Sequence, residues 1–206
     1  MTVTKLITVD GLIELETLPA SAMTEMSMGN SLAKINRYAG RTSEPWSVAS
    51  HSVLVASLCP HKEEQAWGLL HDAHEAFIGD LISPAVEFIA SQSRPVAGAC
   101  VESCVSSAKA VLDRQIQRAW QIDPAHVDLE EVAHYDRIAL DAEMLVFFNC
   151  RRDDWSHDHD RAVELLRGLP ITEKWRAGWH AWVCEAERLA QLGACRIPTS
   201  KTNLAA

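Results

Sequence analysis

Three residues in the middle of the chain carry side chains that often act together in catalysis. His71 and Asp72 are consecutive, and Glu75 follows one turn later, inside the segment QAWGLLHDAHEAFIGDLISP at 65–84. Apolar residues recur there at helical spacing, which predicts one amphipathic helix with the three polar side chains in a single arc beside its apolar face. They form either a solvated polar face or part of a catalytic site. Further ligands elsewhere in the chain would favour the catalytic site.

Two more residues of the same chemical types occupy apolar stripes of other predicted helices. Residues 46–59 predict a helix with His51 on its apolar face, where histidine is either a hydrogen-bonded core residue or a ligand. Residues 126–149 predict another helix, with Asp136 in the middle of its apolar stripe. An unpartnered buried carboxylate would cost several kcal/mol, so Asp136 must meet a cation, a salt bridge, a donor network or a cavity. Asp141 lies on another face and is predicted to be a surface acid.

Together these residues supply two imidazoles and two carboxylates from three predicted helices. They are His51, His71, Asp72 and Asp136. Mixed nitrogen and oxygen ligands suit zinc, cobalt, nickel, manganese or iron, and four protein ligands leave room for water on an octahedral ion. We therefore expect a site for one divalent metal ion.

The N-terminal region is predicted to form a hairpin followed by a helix. KLITVDGLIELE at 5–16 consists of two β-prone runs separated by Asp10-Gly11, a dipeptide suited to a tight turn. A weak helical pattern runs from about residue 22 to residue 38, and Gly40 is predicted to end that helix.

Arg37 and Arg41 bracket the predicted end of that helix. Arginines at a helix end lie in solvent or pair with the last carbonyl groups. Alternatively, the two guanidinium groups form a fork for phosphate.

The C-terminal half is predicted to be mainly helical. Residues 96–120 have a helical pattern, and a final helix from about 171 to 192 carries a tryptophan stripe that suits a core or an oligomer interface. RRDDWSHDHDRA lies between helices, and its His157–Asp160 stretch has no apolar periodicity. We interpret it as a solvated loop and helix start, not as a metal site.

Composition limits the class of protein and its partners. A chain of 206 residues with 48% hydrophobic residues suits one folded domain, and a formal net charge of −9 disfavours a nucleic-acid polymer as partner. The sequence shows no membrane-spanning run and no signal peptide, so we expect a cytoplasmic protein. Its six cysteines include no Cys-x-x-Cys pair and are predicted to be reduced, buried thiols, with no thiolate metal site.

The ordered pattern His51, His71-Asp72, Asp136 resembles the HD-domain metal-dependent phosphohydrolases. The segments INRY at 35–38, SVASHS at 47–52 and LLHDAHEAFIGDLISP at 69–84 are similar to those of 5′-deoxynucleotidases and of phage-associated HD phosphohydrolases, which include phage dATP triphosphohydrolases. The N-terminal hairpin with its turn glycine is similar to the phage-associated group. The resemblance covers roughly residues 3–146.

This resemblance implies an all-α fold, an HD-domain helical bundle with a small N-terminal β-hairpin. We predict a single domain over residues 1–206, with a metal-site core at about 22–149 and a helical extension at about 157–193. The implied metal ligands are the four residues named above. Glu75 and Asp80 match acids assigned to catalysis in the family, and Arg37 matches a phosphate-contacting arginine.

The implied activity is hydrolysis of a deoxynucleotide phosphate ester. Glu75 would orient or deprotonate the attacking water, and Arg37 and Arg41 would neutralise charge on phosphate. Tyr38 stands where the deoxynucleotidases have tryptophan, which favours a dATP triphosphohydrolase releasing deoxynucleoside and triphosphate over a 5′-deoxynucleotidase. Hydrolysis of a different phosphorylated metabolite, or a non-catalytic metal-binding oligomer, would also be consistent with the sequence. We expect a small nucleotide substrate and a homo-oligomer.

Overall fold

A short hairpin opens a fold that is otherwise helical. The computed structural model describes residues 3–8, 11–92, 95–169 and 174–199, and within residues 95–100 only the backbone. Strands β1 (Lys5–Thr8) and β2 (Gly11–Glu14) pair antiparallel. The helices are α1 (Glu25–Leu32), α2 (Val48–Leu58), α3 (Lys62–Leu70), α4 (Glu75–Ile78), α5 (Ser83–Gln92), α6 (Pro95–Trp120), α7 (Leu129–Phe148), α8 (His157–Gly168) and α9 (Trp175–Gln191). The predicted all-α fold with a small N-terminal hairpin is confirmed, while Asp10 of the predicted turn lies outside the described residues.

Helix α2 runs through the centre of the bundle. It packs against α3, α7, α8 and α9, and Ser57 is its one residue that is not buried. The Ser47 side chain caps its start by accepting a hydrogen bond from the Ser50 backbone N–H. A residue at the middle of this helix therefore faces protein on every side, and His51 is fully buried there.

The helix predicted over residues 22–38 is shorter than its apolar pattern suggests. Helix α1 ends at Leu32, because the chain beyond it pairs with the segment before α2. The Val48 N–H donates to the Ile35 carbonyl, and the Arg37 N–H donates to the Trp46 carbonyl. These long-range hydrogen bonds replace helical ones, which local periodicity cannot reveal.

A left-handed turn follows this pairing and includes Tyr38, one of the predicted substrate-binding residues. Tyr38, Ala39 and Gly40 have φ angles of 56°, 53° and 71°. Glycine adopts this conformation at little cost, but tyrosine and alanine rarely do. Gly40 thus lies in a tight turn and is not the cap of a helix ending at residue 38.

The single helix predicted over residues 65–84 is broken in the structure. Helix α3 ends at Leu70, and the next hydrogen bonds span three residues, from the Ala73 N–H to the Leu70 carbonyl and from the Glu75 N–H to the Asp72 carbonyl. Helix α4 then runs from Glu75 to Ile78, and Gly79, whose φ is 78°, caps its end. The tighter turn of residues 71–74 carries the His71-Asp72 pair.

Helix α9 packs tryptophan against α1 and α2. Its buried residues include Trp182, Ala186 and Leu189, all fully buried, which confirms the core interpretation for the inner part of the tryptophan stripe. Trp175 and Trp179 at the start of the stripe are only partly buried. The predicted helix start near Ile171 lies outside the described residues.

Gly29 allows the close approach of α1 and α9. A Cβ atom at Gly29 would lie 2.9 Å from a ring carbon of Trp182. We expect Gly29→Ala to lower the free energy of unfolding by about 1–3 kcal/mol, because a fully buried tryptophan must shift. Urea denaturation measures this change. Gly168→Ala is the matched control, since nothing lies within 4 Å of its Cβ, and equal destabilisation by both substitutions would contradict the packing argument.

The cysteine prediction is only partly correct. Cys59 is buried, but three of the five cysteines whose side chains the structure describes are exposed: Cys104, Cys150 and Cys184. A cysteine within a predicted helix can lie on either the buried or the exposed side, so the helical pattern alone did not predict its burial. Among the described helices, none combines the length and apolarity needed to cross a bilayer.

Candidate metal centre

The four predicted ligands lie together between α2, the turn of residues 71–74 and α7. The His51 Nε2 atom lies 3.0 Å from Asp136 Oδ1 and 3.7 Å from Asp72 Oδ2. The His71 Nε2 atom lies 3.1 Å from Asp72 Oδ2 and 3.7 Å from Asp136 Oδ1. Ligand atoms about 2.1 Å from a common ion are separated by about 3.0–3.4 Å in octahedral or tetrahedral geometry. These spacings therefore suit a single shared cation.

Each of these histidines has its other ring nitrogen fixed. The His51 Nδ1 lies 2.6 Å from Glu143 Oε1, and the His71 Nδ1 lies 2.7 Å from the Gly68 carbonyl oxygen. With Nδ1–H donating to oxygen, each Nε2 presents a lone pair, the arrangement typical of metal-ligating histidine. Both Nε2 atoms are buried without a hydrogen-bond partner, although carboxylate oxygens lie nearby. The donor set therefore fits a divalent ion.

Asp136 is less buried than its place in the sequence pattern predicts. Its side chain is 40% exposed, whereas those of His71 and Asp72 are 13% and 18% exposed. Burial raises the pKa of Asp136, but the nearby His51 and His71 rings outweigh burial and hold that pKa well below the usual range. The exposed side of the candidate centre is thus at Asp136.

Glu143 anchors the surroundings of the centre and was missed as a functional residue. This fully buried carboxylate accepts hydrogen bonds from four side chains: Arg37 Nε at 3.1 Å, Tyr38 OH at 2.8 Å, Trp46 Nε1 at 2.7 Å and His51 Nδ1 at 2.6 Å. Burial acts to raise the pKa of Glu143, but Arg37 and His51 lower it to about 2. The sequence does contain a signal for this residue, because Glu143 is a second acid on the apolar face of the same predicted helix, two turns after Asp136.

Removing the Glu143 carboxylate should destabilise the fold strongly. Glu143→Ala leaves the largely buried Arg37 guanidinium and the His51 Nδ1–H without this acceptor, so we expect a loss of about 3–5 kcal/mol in the free energy of unfolding. Folding lowers the pKa of Glu143 from 4.5 to about 2. The stabilisation by its carboxylate is therefore fully present above about pH 4.5 and is lost as the pH falls towards 2. Urea denaturation at several pH values measures both effects. The exposed Glu130 on the same helix provides the control, and a comparable loss from Glu130→Ala would contradict the assignment.

Two predicted catalytic acids lie beside the ligands. Glu75 is 4% exposed, and its Oε2 has no hydrogen-bond partner. Burial, with the negative charges of Asp72 and Asp80, raises the pKa of Glu75 to about 8. Asp80 is partly buried just after Gly79, and its pKa is raised chiefly by burial. Lys109 of α6 lies near enough to lower the pKa of both acids, and sequence reasoning did not find it.

The three predicted substrate-binding residues lie in different surroundings. The Arg37 guanidinium is ion-paired with Glu143 at 3.1 Å and with Asp72 at 3.6 Å. Burial opposes its charge, but these carboxylates raise the pKa of Arg37 above its ordinary value. The Tyr38 hydroxyl donates to Glu143, and the Arg41 side chain is exposed. Arg37 thus lies at the candidate centre, Tyr38 belongs to the Glu143 network, and Arg41 lies at the surface.

Two predictions outside the centre need correction. Asp141 is only 8% exposed and contacts His159 and Arg152, so it is not a surface acid. His159 is 7% exposed and accepts the Ser156 backbone N–H within a capping box at the start of α8. The His157–Asp160 stretch is therefore the first turn of a helix with one buried histidine. Asp141 and His159 are buried because α7 packs against α8. The apolar pattern of either helix alone does not show this contact.

A groove of about 840 Å³ adjoins the centre at Glu75. Its walls come from the hairpin, α1, α4 and α9, with Ile13, Met26, Lys34 and Trp179 among the lining residues. A volume of this size holds a nucleoside-sized ligand. Glu75 and Gly79 border the groove, whereas the four candidate ligands do not line it.

Comparisons with known proteins add little to this geometry. No protein-family model matches the chain. The chain is similar to the uncharacterized protein YfdR of Escherichia coli (strain K12), with 29% identity over 170 residues, covering 81% of this chain and 82% of YfdR. The similarity spans most of both chains. Because YfdR is uncharacterized, it does not indicate an activity. Membership of the HD-domain phosphohydrolases therefore stays a prediction.

Proposed function

We propose that the protein is a divalent-metal-dependent phosphohydrolase that acts on deoxynucleotides, and specifically a dATP triphosphohydrolase. The observation that carries this proposal is the convergence of His51, His71, Asp72 and Asp136, with two buried Nε2 atoms that lack hydrogen-bond partners. Cobalt, manganese, zinc, nickel and iron all suit this donor set. A divalent ion held there lowers the pKa of water and withdraws charge from a phosphoryl oxygen.

The neighbouring side chains supply the other functions that phosphate hydrolysis needs. Glu75 is buried within reach of the centre and has a raised pKa, so its carboxylate suits proton transfer from the attacking water. Arg37, 3.6 Å from Asp72, contributes positive charge where negative charge develops on phosphate. Lys109 offers a further cation on the side of Glu75 and Asp80.

The groove beside Glu75 suits the nucleoside part of the substrate. Apolar side chains such as Ile13 and Met26 line it, and Trp179 offers an aromatic ring for base stacking. A phosphate at the centre and a nucleoside in the groove would place the ester bond between them, near Glu75. This arrangement favours a nucleotide over a small phosphorylated metabolite, which would leave the groove empty. Assembly into a homo-oligomer is part of the proposal, since a partner subunit would supply additional cations for a triphosphate.

Product analysis tests the proposed activity. The protein is incubated with dATP and separately with dAMP, with manganese, cobalt or zinc added in turn, and the products are separated by ion-exchange chromatography. Deoxyadenosine with intact triphosphate from dATP is the expected result. Orthophosphate released from dAMP, with dATP left intact, would contradict the triphosphohydrolase proposal.

One observation favours a second candidate, a 5′-deoxynucleotidase. Among the described arginines, Arg37 alone forms an ion pair with a candidate ligand. A monophosphate needs fewer cations than a triphosphate, so this sparse set would suffice for dAMP. Product analysis separates the two candidates directly.

Arg41 is expected to distinguish the phosphate chain length. Its exposed side chain follows the left-handed turn that holds Tyr38, so it suits distal phosphates better than the reacting one. We expect Arg41→Ala to lower kcat/KM for dATP by about tenfold, the loss of one charged hydrogen bond, and to change dAMP hydrolysis less. Steady-state kinetics with both substrates measures the difference. Arg114→Ala, an exposed arginine on α6, is the control, and an equal effect from both variants would remove the specific role of Arg41.

A further inference from the structure

A third histidine shares the arrangement of the two candidate ligands. The His74 Nδ1 lies 2.9 Å from Asp113 Oδ1, as His51 Nδ1 meets Glu143 and His71 Nδ1 meets Gly68. His74 is 4% exposed, and its Nε2 is buried without a hydrogen-bond partner. A packing role alone does not explain a fixed ring with an unpaired nitrogen.

His74 lies in a second group of potential ligands. A ring nitrogen of His74 and carboxylate oxygens of Asp72 and Glu75 all lie within 4.8 Å of one another. Ligand atoms of one ion are separated by about 3.0–3.4 Å, so side-chain adjustments of about 1–2 Å would bring this group to coordinating distance. Asp72 also belongs to the first group, with His51 and His71, and its two oxygens allow it to serve both.

The charges around Asp72, His74 and Glu75 favour the binding of a cation. Asp72, Glu75 and Asp80 place three carboxyl groups together, and Glu75 Oε2 is buried without a partner. Arg37 is occupied by Glu143 and Asp72, which leaves Lys109 as the other cation that acts on Glu75. A buried histidine nitrogen with a lone pair, grouped with a buried, unpaired Glu75 oxygen and the Asp72 carboxylate, is a donor set for a divalent ion.

We propose that Asp72, His74 and Glu75 bind a second divalent cation, with Asp113 fixing the orientation of His74. The proposal rests on the metal centre proposed above and extends it to two ions that share Asp72. The second ion binds more weakly than the first, because two cations on one carboxylate repel each other. Two adjacent cations suit a phosphate ester, whose oxygens they can neutralise from two sides.

Metal stoichiometry tests this proposal without reference to activity. Equilibrium dialysis against manganese up to millimolar concentration, followed by elemental analysis, gives the ions bound per chain. We expect two for the parent protein, and one for both His74→Ala and Glu75→Gln. The near-isosteric Glu75→Gln keeps the test valid if His74→Ala fails to fold. His134→Ala, an exposed histidine on α7, should retain two.

Either of two results would overturn the second site. The parent protein could saturate at one ion, or both variants could retain two. Saturation at one ion would leave the proposed hydrolase activity unaffected, since the first site alone supports it. Failure of this inference is therefore distinguishable from failure of the proposed function.

Discussion

Replacing Asp136 by asparagine is expected to lower the affinity of the first metal ion by more than about 100-fold. Loss of a group that merely orients a ligand costs about 10–100-fold, and loss of a ligand charge should cost more. Activity on dATP should fall with metal occupancy. The Asp136 carboxylate is 40% exposed, so the substitution should leave packing intact. Isothermal titration with manganese measures the affinity, and chromatographic product analysis measures the activity.

Glu130→Gln is the matched control for this substitution. Glu130 is an exposed acid on the same helix, so its loss makes the same change in net charge away from the centre. The control should bind manganese as the parent does. Equal weakening in both variants would show that bulk charge, and not ligation by Asp136, holds the ion.

Replacing Glu75 by glutamine is expected to lower kcat by about 100-fold or more while the tighter metal ion stays bound. This is the size of effect expected when a general base is removed. Glu75 is buried beside the ligands, but it does not belong to the first ligand group of His51, His71 and Asp72. Steady-state kinetics and elemental analysis at low manganese concentration separate the two effects.

Glu87→Gln, on the exposed face of α5, serves as the control for Glu75→Gln and should keep the kcat of the parent. Loss of the tighter ion from the Glu75 variant would make Glu75 a ligand of the first site. An unchanged kcat would instead remove Glu75 from proton transfer.

The candidate ligands could be found from the sequence because their types conflict with their surroundings. His51 stands in a helix whose other residues are apolar or serine, and Asp136 stands in an apolar stripe. A polar residue in such a position needs a partner, so the pattern itself points to a site. The expected convergence of these residues with His71 and Asp72 agrees with their distances in the structure.

The surroundings of the centre were harder to predict because long-range contacts create them. Glu143 and Asp136 share one face of α7, and the sequence cannot tell which of the two acids accepts four hydrogen bonds and which lies beside His51 and His71. The break in the helix at residues 71–74 depends on a change from four-residue to three-residue hydrogen bonds, which apolar spacing does not resolve. Asp141 on α7 and His159 on α8 are buried because the two helices pack together. The sequence of either helix alone therefore does not predict this burial.

The most direct test of the metal centre is a crystal structure of the protein grown with manganese, with data collected for anomalous scattering. We expect a strong anomalous peak bounded by His51 Nε2, His71 Nε2 and the carboxylates of Asp72 and Asp136. Manganese-dependent hydrolysis of dATP by the same preparation, with no anomalous peak among these four residues, would contradict the metal centre.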